Sequence, residues 1–126
     1  MKTSTRPLSP HIQIYKMPLS AKLSILHRLT GLALSAAAVF LVFWLYCLAY
    51  SSTTSVAIYV FFSSTLGKVI LLLWTFAFFY HFCNGIRHLF WDVGKGFDIS
   101  TVNKSGVVVV VAALVITALV WFTGVK

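Results

Sequence analysis

Apolar residues run along this chain in blocks too long for a soluble core. Residues 29 to 67 carry no charge and no histidine, 69 to 80 repeat that pattern, and 105 to 125 form a third apolar run. A helix needs about 20 apolar residues to cross a bilayer. The pattern therefore predicts three transmembrane helices, at 22–50, 58–88 and 105–124, within a single membrane domain spanning 1–126. SSTTS at 51 to 55 forms the first connection and GKGFDISTVNK at 94 to 104 the second. The valine run at 107 to 111 reads as lipid-facing helix.

Ahead of the first span, RPLSPHIQIYKMP contains Pro7, Pro10 and Pro18, which favours an extended arm over residues 1–21. Ser20 is the expected N-cap of the first helix. The apolar run that follows is too long for a signal-peptide core and is expected to stay in the mature chain.

Composition agrees with a membrane chain: 60% of residues are hydrophobic and 10% charged, and mean hydropathy is +0.93. Orientation follows from lysine and arginine, which resist translocation. Lys2, Arg6, Lys16, Lys22 and Arg28 precede or open the first span, and Arg87, Lys95 and Lys104 flank the second connection. The N-terminus is thus expected inside. The net charge of +8 is spread along the inner ends of apolar helices, which suits anionic membrane lipid and argues against nucleic acid as a partner. Cys47 and Cys83 lie within apolar segments and are expected to be reduced. There is no CxxCH motif for covalent haem attachment and no cysteine set for an iron–sulfur cluster.

Ionisable residues interrupt this background at HFCNGIRHLFWD, 81 to 92. A charged side chain at the bilayer centre costs about 2.5–3.5 kcal/mol even on lenient scales, so such residues usually face protein, cofactor or water. His81, Gly85 and His88 share a helix face by i, i+4, i+7 spacing, with His81 about 10 Å deeper than His88. Gly85 leaves room between them for a flat group. Ser24, His27 and Arg28 share a face at the start of the first span. Both groups fall at the inner surface.

A neutral imidazole in an apolar pocket is an ordinary axial ligand for haem iron, and cations or donors nearer the surface can hold the propionates. His81 suits the first role; His27, Arg28 and His88 suit the second. A packed, hydrogen-bonded histidine between helices is the competing reading of His81. Interfacial snorkelling is that of Arg87 and His88, and His11 reads as a surface residue. Ser24 and Arg28 offer a hydroxyl and a fixed cation that could bind a quinone carbonyl and stabilise its reduced forms; a backbone-bonded serine beside a lipid-binding arginine is the alternative.

The segments RPLSPH (6 to 11), SILHRLTG (24 to 31) and HFCNGIRHLFWDVG (81 to 94) closely resemble the cytochrome b556 membrane-anchor subunits of succinate dehydrogenase. The resemblance implies an all-α membrane protein in a helical bundle with a second anchor subunit (D), docked to an iron–sulfur subunit (B) and a flavoprotein (A). It implies haem b ligated by His81, with His27, Arg28 and His88 near its propionates, ubiquinone contacted by Ser24 and Arg28, and a second axial histidine supplied by the other anchor. The chain would be part of a succinate dehydrogenase, passing electrons into the respiratory chain, without itself being catalytic. Arg87 and Asp92 are expected to serve the inner surface, capping the second span or touching the iron–sulfur subunit. The competing functions are a fumarate reductase anchor using menaquinone and a haem-free structural or transport subunit. A bacterial inner membrane is the expected location, a mitochondrial inner membrane the alternative.

Overall fold

The computed structural model describes residues 16–124. Most of the expected arm, and His11 with it, lies outside the described residues. The described chain is all helix and connection: α1 (Leu19–Tyr50), α2 (Ser52–Ser63), α3 (Thr65–Asp92) and α4 (Ile99–Gly124). At 1.5 Å per residue α1, α3 and α4 measure about 39–48 Å, enough to cross the ~30 Å hydrocarbon core with helix to spare at the ends. All three are apolar enough to span.

Three features differ from the sequence pattern. The helix cap falls on Pro18, not Ser20: Pro18 is extended, and its carbonyl accepts from Ala21 and Lys22 at 3.1 and 3.3 Å. A proline costs nothing there, because a cap residue's own N–H has no helical partner to lose. The first connection is also shorter than SSTTS, since Ser52 already opens α2. Finally, the span expected at 58–88 is two helices. Ser64 is extended and caps α3, accepting from the Gly67 backbone N–H at 3.2 Å. A Cβ on Gly67 would overlap the Phe61 carbonyl oxygen, so the tight reversal between α2 and α3 needs glycine at that position. At about 18 Å, α2 is too short to cross the membrane. It packs instead on α1 and α3, where Phe62 meets Phe40 and Trp74.

Leu23, Tyr80, Val109 and Ala113 form the buried core where α1, α3 and α4 meet. Gly106 permits that contact: a Cβ there would stand 2.5 Å from Leu23 Cδ1. Small residues at helix crossings are how membrane helices gain close backbone contact without a hydrophobic driving force. Hydroxyls inside the spans bond back to their own helix, as Thr117 does to the Ala113 carbonyl at 2.7 Å and Thr75 to that of Leu71 at 2.7 Å. In lipid this satisfies a polar group that has no water to turn to.

The C-terminal end of α3 closes with a tight hydrogen-bonded turn. Gly94 takes a positive φ of 77°; its N–H donates to the Trp91 carbonyl at 2.8 Å, and Lys95 N–H donates to that of Phe90 at 3.0 Å. This is the Schellman arrangement, which turns the chain sharply using a glycine in the left-handed region. The Trp91 indole N–H then donates to the Gly96 carbonyl at 3.2 Å, fixing the short connection into α4.

A histidine group between α1 and α3

Three of the histidines singled out by spacing meet in space. The His27 and His81 rings stack at 3.9 Å between centroids with planes 14° apart, and His88 lies 5.2 Å from His27. His88 in turn meets the Trp91 ring edge-on at 4.9 Å. One helical face on α1 and one on α3 supply them. All three are half-buried.

His81 is held from one side of its ring. Its Nδ1 lies 3.1 Å from the His27 backbone carbonyl and 3.2 Å from the Thr30 hydroxyl oxygen, while that hydroxyl donates to the same carbonyl at 2.9 Å. Gly31 lies against the Cε1 edge of the ring, where a Cβ would sit 3.0 Å from His81 Cε1. Tyr80, next in the chain and fully buried, donates from its hydroxyl to the Leu23 carbonyl at 2.8 Å, pinning α3 against α1 one turn before His27. Thr30 and Gly31 escaped notice as site residues in the sequence, yet they stand three and four positions after His27, on its own helix face.

The structure leaves Ser24 half-buried and Arg28 exposed. A Cβ at Gly85 would meet nothing within 4 Å, so the α3 surface between His81 and His88 is open. Two clefts, of about 510 Å³ beside Arg87 and Trp91 and about 450 Å³ beside Trp44 and Phe62, contain none of the three histidines. The histidine group thus borders open α3 surface at Gly85.

Arg87 differs from the sequence expectation. It neither snorkels nor caps α3: it is 6% exposed and reaches across to α4. Its Nε donates to Ser105 Oγ at 3.0 Å, one terminal nitrogen donates to the Val102 carbonyl at 2.8 Å, and the other to Asn84 Oδ1 at 3.3 Å. The guanidinium also covers the Trp91 ring, 4.1 Å from its centroid. A rigid planar fork can serve several acceptors at once, and that outweighs the pull of the nearby interface. Asp92 is exposed as the last residue of α3.

These residues fit a haem. The donor set is right for it: a half-buried imidazole at His81, open space at Gly85, and two further histidines and Arg28 toward the N-terminal end of α1 and the C-terminal end of α3. The stacked His27 and His81 rings, 3.9 Å apart, leave no space for a flat group between them. Among the described residues, no three of His, Cys, Asp or Glu gather to hold a bare metal ion.

Residues 2–120 match the family model described as succinate dehydrogenase/fumarate reductase transmembrane subunit. The chain is 47% identical over 117 residues to a succinate dehydrogenase cytochrome b556 subunit of Rickettsia felis, covering 92% of this chain and 90% of that one. It is 39% identical over 114 residues to the like-named subunit of Paracoccus denitrificans, covering 90% and 88%. A mitochondrial succinate dehydrogenase cytochrome b560 subunit from Sus scrofa is 42% identical over 112 residues, covering 86% and 65%.

Proposed function

This chain belongs to the succinate dehydrogenase/fumarate reductase transmembrane subunit family, and from that premise we propose how its residues serve a membrane-anchored succinate:ubiquinone oxidoreductase. It is a multi-pass membrane anchor of succinate dehydrogenase in a bacterial inner membrane, a non-catalytic subunit of the enzyme. The relatives named above are succinate dehydrogenase subunits, which favours electron flow toward the quinone over the fumarate reductase direction.

The cytochrome b names of the relatives imply haem b. In our reading His81 is one axial ligand, a second anchor subunit provides the other, and His27, Arg28 and His88 hold the propionates. The observation that carries this is the His81 ring, clamped at Nδ1 and bordered by open α3 surface at Gly85. Haem, when bound, supplies a one-electron store within the membrane. The flavoprotein and iron–sulfur subunits dock at the inner surface, where both polar groups lie.

Ser24 and Arg28 act on ubiquinone. Reduction takes two electrons and two protons and places negative charge on the quinone oxygens before protonation is complete. A hydroxyl donor and a cation on one helix face, half-buried and exposed respectively, are suited to orient a carbonyl and stabilise that charge. Ser24→Ala and Arg28→Leu should each depress succinate:ubiquinone activity on the order of ten- to a hundredfold. Succinate oxidation by an artificial acceptor drawing electrons upstream should be nearly unchanged. Unchanged succinate:ubiquinone activity in both variants would remove Ser24 and Arg28 from the quinone site.

Orientation rests on the positive charges flanking α1 and the connection from α3 to α4. Because α2 is too short to cross, the chain passes the membrane three times, with the N-terminus inside. Reporter fusions after residues 51 and 63 and at the C-terminus should read as external, and a fusion after residue 96 as internal. An internal signal at residue 63 would overturn this orientation and put the histidine group on the wrong side for the soluble subunits.

A further inference from the structure

We propose that the Thr30 hydroxyl, acting with the His27 backbone carbonyl, is a positioning device for His81: it fixes which ring nitrogen carries the hydrogen and makes the other a stronger ligand. The inference rests on the reading of His81 as a haem ligand.

A backbone carbonyl can only accept. With the His27 oxygen 3.1 Å from His81 Nδ1, the hydrogen must sit on Nδ1, since the other tautomer would set two lone pairs against each other. The Thr30 hydroxyl donates its hydrogen to that same carbonyl at 2.9 Å, which leaves the hydroxyl oxygen, 3.2 Å from Nδ1, as a second acceptor. One N–H thus faces two oxygens, and Nε2 is left with its lone pair outward. Metal-bound histidines in general donate their remote N–H to such an acceptor, which sets ring orientation and raises ligand basicity.

Three features make Thr30 a built part of this arrangement. It is 6% exposed. Its β-branched side chain is held in one orientation by its bond to the turn before it. Gly31, the next residue, lets the His81 ring lie against α1, because a Cβ there would come within 3.0 Å of Cε1. The threonine therefore contacts His81 at the edge opposite Nε2 and touches neither haem nor quinone in this reading.

The consequence is electronic as well as steric. An imidazole whose N–H is well accepted carries more negative charge at the ligating nitrogen, and so favours the oxidised iron. Thr30→Val keeps the branched shape and removes the hydroxyl. Thr30→Ser keeps the hydroxyl.

Both variants should be made in the complete complex, with its partner subunits co-expressed, and the haem midpoint potential read by spectroelectrochemical titration. Thr30→Val is expected to retain a low-spin spectrum and to shift the reduced-to-oxidised ratio at fixed poise toward reduction by up to about tenfold, which is about 59 mV for a one-electron couple. Thr30→Ser should stay near the parent. Loss of haem from Thr30→Val with retention in Thr30→Ser would also support a role for the hydroxyl. An unchanged potential in Thr30→Val, or equal shifts or equal loss in both variants, would overturn it in favour of packing alone. His81→Leu, measured alongside, separates the two readings: an unaltered haem spectrum in that variant would sink the ligand assignment itself, whatever Thr30 does.

Discussion

His81→Leu should abolish the low-spin b-type spectrum of the assembled complex, with haem occupancy falling at least about tenfold. In the proposed reading the substitution removes a ligand, and it costs the fold little. Leucine fills a similar space beside Gly31, and the His27 carbonyl that loses the His81 N–H still accepts from Thr30 at 2.9 Å. No buried polar atom is orphaned at that carbonyl, so loss of haem would report ligation and not collapse. His88→Leu should act more mildly, since His88 lies nearer the C-terminal end of α3 and meets His27 at 5.2 Å without stacking on it. The isolated chain should show little of this spectrum and gain it when the second anchor subunit is co-expressed. A full bis-histidine spectrum from the chain alone would break the shared-ligand reading, and the stacked geometry of His27 and His81 would then have to open.

The spans were legible from sequence because bilayer thickness imposes a length on apolar runs, and three such runs are present. The helix ends were not. Ile99–Lys104 is helical although polar, because a helix continues past the hydrocarbon wherever its backbone bonds close. The break at Ser64 was marked only by the short polar run Ser63–Thr65 and by Lys68, with apolar residues on both sides; the Ser64 cap and the clearance at Gly67 turn that run into a reversal. Spacing placed His27 on one helix face and His81 with His88 on another, but it held no information on whether the two faces meet. That depends on the Tyr80 bond to Leu23 and on the close approach at Gly31. Arg87 misled for a related reason. Its position near the end of a span is where cations ordinarily snorkel, and its acceptors on α4, Val102 and Ser105, lie across a turn whose direction is set by Gly94.

Arg87→Met should be the most destabilising substitution around the connection from α3 to α4, at about 3 kcal/mol. The guanidinium makes three hydrogen bonds: one to Asn84 on its own helix and two to α4. Bonds to a charged donor are each worth about 1.5–3 kcal/mol, and relief of the buried charge returns part of that. The balance is decided by Asn84. It is fully buried, and its Nδ2 already has no partner; without Arg87 its Oδ1 loses the one it has. A buried amide left unsatisfied costs about 1–3 kcal/mol more. Val102 suffers less, because its carbonyl still accepts from Ser105 at 3.1 Å. Arg87→Lys should recover little, since an ammonium lacks the planar fork that reaches three acceptors and covers Trp91. The pair Arg87→Met with Asn84→Leu removes both members and should be more stable than Arg87→Met alone. Thermal melting of the detergent-solubilised complex would measure all three. Equal melting of Arg87→Met and the parent would show that α3 and α4 are held by the apolar contacts of Val109 and Ala113, with the arginine a passenger.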